Sequence, residues 1–253
     1  MLIPEPELAS RVRADERLVA LGLAASRDEA QRLVLAGLVL DGTRRVDKAG
    51  EQVAADALLS VRARRRFVSR GGEKLDAALE HFAIDVREAV CLDAGCSTGG
   101  FTDCLLQRGA ARVYAVDVGY GQFAWALRRD PRVVLMERTN VRSLDASPLA
   151  APPNVIVADL SFVSLAGVLP HLVAIAAPSG CDFVLLVKPQ FEVASAQTER
   201  GIVVDEESRQ SALRGVETAA AGLGLELLGS MQSPLRGADG NVEYLLAARS
   251  GRS

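Results

Sequence analysis

The chain has 253 residues, a formal net charge of −3, 49% hydrophobic and 24% charged side chains. This composition suits a globular protein and excludes a disordered, collagen-like or uniformly basic one, so nucleic-acid affinity would have to come from local patches. The start, MLIPEPELASRVRADER, has no apolar leader, and the most apolar stretch, Val155 to Pro178, is interrupted by Asp159, Pro170 and His171. That stretch falls short of the about 20 apolar residues that span a membrane, and a soluble, cytoplasmic protein is expected.

In chain order, Ser26-Arg27-Asp28-Glu29 has the form of a capping box, with Ser at the N-cap and Glu three residues on. Ala30, Leu33, Val34 and Gly37 follow at helical spacing, and Leu38-Val39-Leu40 then runs into the turn signal Asp41-Gly42. The first segment therefore reads as helices followed by short strands, a module too small to bury much surface by itself. Its cations Arg27, Arg32, Arg44, Arg45 and Lys48 are candidate phosphate contacts, against the plainer reading of a solvated face.

A basic run follows, with Arg62, Arg64, Arg65, Arg66 and Arg70 inside VRARRRFVSRGGEK. It can be a solvated linker or a hinge that neutralises phosphates, and the chemistry read from the rest of the chain favours the second. The amphipathic stretch Leu75–Phe82 then reads as a helix.

From residue 89 onward, apolar runs alternate with helical patterns. Ala89–Leu92, Val113–Val116, Val133–Leu135, Val155–Ala158 and Phe183–Val187 read as strands, and Leu165–Ala176 as an intervening helix. Nearly continuous apolar runs indicate strands covered on both faces, which is the rhythm of a doubly wound parallel sheet. Two further runs, Leu225–Leu228 and Tyr244–Ala247, are expected to add an antiparallel edge.

The first of these strands ends in Asp93-Ala94-Gly95-Cys96-Ser97-Thr98-Gly99-Gly100-Phe101. The spacing G-x-x-x-G-G fits neither the dinucleotide fingerprint nor the P-loop. An acid ahead of the glycines suits a ligand carrying an ammonium group, as S-adenosylmethionine does. Asp117, at the end of the next strand, is placed to accept hydrogen bonds from ribose hydroxyls. Cys91, Cys96, Cys104 and Cys181 form no Cys-x-x-Cys pair, and only two histidines accompany them. Neither a disulfide nor a metal site is expected.

The segments DAGCSTGGFTD, YAVDVGYGQ, VADLSFVSL, LVKPQFE and GNVEYLL together resemble the TlyA family, whose members are similar to FtsJ-like RNA 2′-O-methyltransferases and often carry a haemolysin name. The likeness runs from about residue 10 to 249, and SRDEAQRLVLAGLVLDG resembles the alpha-L type of RNA-binding domain. It implies an α/β fold, a Rossmann-like S-adenosylmethionine-dependent methyltransferase sheet behind a small α+β RNA-binding domain. The expected boundaries are 1–61 for that domain, 62–68 for a basic linker and 69–253 for the methyltransferase.

The resemblance also implies a Lys-Asp-Lys-Glu catalytic set at Lys74, Asp159, Lys188 and Glu243. The expected cofactor-binding residues are Asp93, Gly95, Ser97, Thr98, Gly99, Gly100, Phe101, Asp117, Asn140 and Asp159. Arg65, Arg66 and Arg70 join the RNA-contacting cations. Lys188 would be the base for a ribose hydroxyl, activated by burial and by a neighbouring cation such as Lys74. Three departures stand out: Cys96, where Ala or Gly is expected, would crowd the cofactor; Ala14 replaces a Leu; and Phe67 replaces a linker Trp.

Other acceptors require other residues. Amino methylation goes with Asn/Asp-Pro-Pro-aromatic, whereas here Asp159-Leu160-Ser161-Phe162 holds that place, and no cysteine lies nearby for attack on a cytosine ring. Hydroxyl methylation fits best, and the resemblance implies cytidine in ribosomal RNA. The alternatives are a catalytically silent RNA-binding or ribosome-assembly protein and, from the family's older name, a membrane-active toxin.

Overall fold

The structure is a computed structural model, and it describes residues 10–62, 66–144, 149–194, 198–237 and 239–251. Arg64 and Arg65 of the basic run lie outside the described residues. Contacts divide the chain into two compact units, 1–65 and 66–253.

The first unit runs β1 (Arg11–Arg13), α1 (Ala14–Ala20), α2 (Arg27–Leu35), β2 (Val39–Asp41), β3 (Arg44–Arg45), β4 (Gln52–Ala54) and β5 (Leu59–Val61). Its small apolar core gathers Leu18, Ala30, Val34, Val39, Val46 and Val53. Beside that core Asp15 is fully buried. Its carboxylate takes a two-pronged hydrogen bond from Arg13 at 2.9 and 2.7 Å and further bonds from Arg27 at 3.1 Å and Gln31 at 3.3 Å. The Arg13 bond, foremost, holds Asp15 well below the usual carboxylate range despite burial. The capping box forms only in part. Ser26 Oγ accepts from the Glu29 amide at 3.2 Å, but the Glu29 carboxylate reaches past Ser26 to the amide of Ala25 at 2.7 Å.

The second unit opens with α3 (Arg70–His81), then β6 (Val90–Ala94), α4 (Gly100–Gln107), β7 (Arg112–Val116), α5 (Trp125–Arg128) and β8 (Val133–Met136). It continues with β9 (Val155–Ala158), α6 (Leu169–Ile175), β10 (Cys181–Val187), α7 (Pro189–Glu192), α8 (Glu206–Gly222), β11 (Glu226–Gln232) and β12 (Tyr244–Ser250). The strands form one sheet in the order β11-β12-β10-β9-β6-β7-β8. From β10 to β8 all neighbours are parallel, whereas β12 pairs antiparallel with both β10 and β11. Tyr244–Ala247 therefore lies inside the sheet, and β11 is the edge.

Alternate residues feed two cores. Leu92, Ile156 and Leu185 face Leu169 and Leu172 of α6 and Leu213 and Val216 of α8. Cys91, Val157 and Leu186 face Leu75 and Leu79 of α3 and Leu105 of α4. Phe67 is buried in the second core beside Gly72, where a Cβ would meet its ring carbon at 2.3 Å. Phe67, inside the 62–68 stretch expected as a linker, thus packs within the second unit. The helix expected over 165–176 is confined to Leu169–Ile175, with Pro170 in its first turn. The Leu165 amide is instead bound by Glu192 at 2.6 Å, and Ser164 Oγ by the same carboxylate at 2.7 Å.

All four cysteines are free and buried, and burial pushes the Cys91 and Cys104 thiols up to about 12. Among the described residues no helix is long and apolar enough to cross a membrane.

Candidate active site

Chain order reverses between β6 and β9, since β6 leads outward to β7 and β8 while β9 leads to β10 on the other side. A crevice outside the carboxyl ends of the strands is expected at such a point. A cavity of about 430 Å³ opens there, with Gly95, Ser97, Asp117, Asn140, Asp159 and Phe162 among its lining residues.

The loop after β6 is held by its neighbours. The amides of Gly95 and Cys96 both donate to the carbonyl of Val116, at 2.8 and 3.1 Å. Asp117 braces the same loop: one carboxylate oxygen accepts from the Ser97 amide at 2.8 Å and the other from the Gly119 amide at 2.6 Å. Gly95 has φ +85° and passes so close to β9 that a Cβ would lie 2.4 Å from the carbonyl oxygen of Asp159. Gly99, at φ +95°, turns the chain into α4.

Five of the ten expected cofactor residues, Gly95, Ser97, Asp117, Asn140 and Asp159, line the cavity; Asp93, Thr98, Gly99, Gly100 and Phe101 do not. The carbonyl of Thr98 accepts from the Ala124 amide at 3.1 Å, Gly100 opens α4, and Phe101 turns into the core beneath. Asp93 is fully buried, so the direct contact with a ligand ammonium expected of it is not available in this arrangement. One of its oxygens accepts from Thr102 Oγ1 at 2.6 Å, and the other has no hydrogen-bond partner. Burial, reinforced by the charge of Asp159, pushes this carboxyl up to about 7, against the opposing Thr102 bond. Cys96 packs in the core with Phe101 and Phe123, away from the cavity lining, and does not crowd it.

Sheet register explains how residues far apart in sequence share the carboxyl edge. Leu185 pairs with Ala158 and Val187 with Tyr244, so Asp159, Lys188 and Glu243 each stand one residue beyond a paired strand end. The four family positions form two ion pairs. Lys188 Nζ lies 2.6 Å from Asp159 and donates to Ser161 Oγ at 2.9 Å. Lys74, one turn into α3 and buried, pairs with buried Glu243. Each lysine thus faces a carboxylate.

Sequence reasoning passed over Phe162. Its side chain is 91% exposed, its backbone has φ +63°, and its ring rests 5.3 Å from that of Phe191. A bulky residue held in the left-handed region on a cavity wall is costly to fold and points to function. The signal was present in Asp159-Leu160-Ser161-Phe162, where an aromatic follows the strand-end acid.

The family of FtsJ-like methyltransferases matches residues 67–250. The chain belongs to this family. The TlyA 16S/23S rRNA (cytidine-2′-O)-methyltransferase of Mycobacterium tuberculosis is 50% identical over 96% of this chain and 91% of its own length. YqxC of Bacillus subtilis, which carries an rRNA methyltransferase name, is 44% identical over 94% of this chain and 85% of its own. A solved structure from Streptococcus thermophilus that carries a hemolysin name superposes with a TM-score of 0.74 at 39% identity, covering 97% of this chain and 90% of that one.

Of the expected RNA contacts, most are engaged within their own unit. Arg27 pairs with Asp15 at 3.1 Å, Arg45 with Asp47 at 2.7 Å, and Arg44 with Glu51 and Asp41. Arg32 and Lys48 are exposed, with no ion pair among the described residues. Arg66 pairs with Asp76 and stacks over Phe67, and Arg70 donates to the carbonyl of Arg236 at 2.5 Å.

Proposed function

We propose that this FtsJ-like methyltransferase transfers a methyl group from S-adenosylmethionine to the 2′-hydroxyl of a cytidine in ribosomal RNA. The observation that carries the reading is the placement of Asp159, Lys188 and Glu243 at one sheet edge, each paired with an opposite charge, beside a cavity at the strand-order reversal. The rRNA (cytidine-2′-O) name of the relative at 50% identity supports the substrate.

The cavity fits the cofactor. Its volume lies within the usual range for small-molecule sites, and Asp117 and Asp159 put acids on its wall. Gly95 and Ser97 would border the methionine part. Asp117 would take the ribose hydroxyls, since each of its oxygens keeps a second acceptor site beyond its bond to the loop. Bound there, S-adenosylmethionine supplies a methyl on a sulfonium, which leaves as a neutral thioether.

Lys188 would take up the proton that the ribose hydroxyl gives up on methylation. Asp159 and Ser161 fix the position of its Nζ. Lys74 and Glu243 complete the edge, each limiting the cost of burying the other. Phe162 offers its exposed face to the target base. The first unit, read as an alpha-L type RNA-binding domain, brings phosphate-binding cations, of which Arg32 and Lys48 are free to act without breaking an ion pair among the described residues.

The test is nucleoside mass spectrometry of ribosomal RNA after incubation of ribosomal subunits with enzyme and S-adenosylmethionine. A gain in 2′-O-methylcytidine is expected. Methylation confined to bases, or none with either subunit, would exclude the reading.

A further inference from the structure

We propose that the methyltransferase unit carries a second RNA-contacting surface on the rim of its cavity, built from Tyr120, Trp125, Arg138 and Arg142, which grips unpaired nucleotides flanking the target. This rests on the proposal that the substrate is RNA.

Two segments make this rim. Val118, Gly119 and Gln122 from the loop after β7 line the cavity, as do Thr139, Asn140 and Arg142 from the segment after β8. They are tied together, because the Arg138 amide donates to the Gly119 carbonyl at 3.1 Å and the Gly121 amide to Glu137 at 2.7 Å. Glu137 is itself held by Arg128 at 2.8 and 3.0 Å, so the rim is braced.

On this frame the apolar and cationic groups face outward. Val118 is 71% exposed, Tyr120 65%, and Trp125, the sole tryptophan of the chain, 71%. The Arg138 guanidinium lies 4.3 Å from the centre of the Tyr120 ring. Arg138 and Arg142 are exposed and make no ion pair among the described residues.

Tyr120 lies under the Arg138 guanidinium on a loop whose neighbours Gly119 and Gln122 line the cavity, and Arg142 lines the cavity itself. Stacking platforms interleaved with guanidinium groups are what single-stranded nucleic acid binds, through base stacking and phosphate neutralisation. A protein partner would favour a broader apolar patch, and an acidic one would not need the rings. Arginine suits the role because its plane both stacks and forks to phosphate.

The sole tryptophan makes the test direct. Its emission in the full-length protein is followed on titration with single-stranded oligocytidylate and, separately, with ribosomal subunits, for wild type, Tyr120→Ala, Arg138→Ala, Arg138→Lys and Arg142→Ala. Emission is expected to be quenched by RNA, with less quenching as salt rises. Arg138→Ala and Tyr120→Ala should weaken the oligonucleotide by about tenfold each, a loss in the range of one stacked base. Arg138→Lys should recover only part of it, and S-adenosylmethionine affinity should stay at the wild-type value in the Tyr120 and Arg138 variants, neither of which lines the cavity. Wild-type methyl transfer to subunits with unmoved Trp125 emission, and with unchanged KM in Trp125→Ala and Arg138→Ala, would overturn the surface while leaving the RNA methyltransferase reading intact. Quenching by RNA without any methyl transfer would support the surface and remove the catalytic reading instead. Burial of Trp125 in a dimer, detected by sedimentation and unaffected by RNA, would also overturn it.

Discussion

Gly95 and the carbonyl of Asp159 belong to neighbouring strand ends, and the two backbones approach so closely that a single added Cβ would sit 2.4 Å from that oxygen. The contact joins the loop after β6 to the residue that holds Lys188. The glycine is thus required both by its left-handed backbone and by its neighbour.

Gly95→Ala should therefore open the loop away from β9. S-adenosylmethionine affinity, read by calorimetry, is expected to fall by more than about tenfold, or ~1.4 kcal/mol. Thermal stability should drop with it. Unchanged affinity would mean that the loop does not contact the cofactor.

Lys74 and Glu243 form a buried pair, so removing one partner leaves the other charged and unmatched. Lys74→Met is expected to cost about 3–5 kcal/mol in urea unfolding. The double variant Lys74→Met/Glu243→Leu should regain much of that stability yet stay inactive. A double variant as unstable as the single would show that the loss comes from packing and not from the stranded carboxylate.

Asp93 gives the fold a pH dependence. Burial pushes its carboxyl up to about 7, whereas an unfolded Asp titrates near about 3.9. Between those values the folded state keeps a proton that the unfolded state has lost. Its contribution to stability therefore falls as pH rises through that window and levels off above it. Asp93→Asn should flatten the slope, with urea midpoints at about pH 5 and pH 7 drawn closer together than in wild type. Equal slopes in the two proteins would contradict the assignment.

Much of the fold was legible because buried parallel strands announce themselves as apolar runs, and all five such runs became strands of one sheet. The position of β12 was not, because a run of apolar residues does not tell an edge strand from one flanked on both sides. The helix over 169–175 lost its expected start to Glu192, a partner 27 residues away that no local pattern reveals. At the site, Asp159 and Lys188 came from the family resemblance, and the strand-end rule pointed to Asp117 alone. It could not show that Asp93 and Phe101 turn away from the cavity, since which face of a loop a side chain takes depends on the neighbouring helix. Nor could it pair Lys74 with Glu243, residues 169 positions apart that meet only through the sheet. The exposure of Phe162, Tyr120 and Trp125 is a property of packing alone, and no period in the sequence distinguishes them from core aromatics.

Lys188, held by Asp159, is proposed to serve methyl transfer to a ribose hydroxyl. The most direct test of that role is tritium transfer from S-adenosylmethionine to purified ribosomal subunits by wild type and Lys188→Ala, with cofactor binding measured on both. Ribose-borne label from the wild type, lost in a variant that still binds cofactor, is the predicted result. Equal label from both proteins would rule out that role for Lys188.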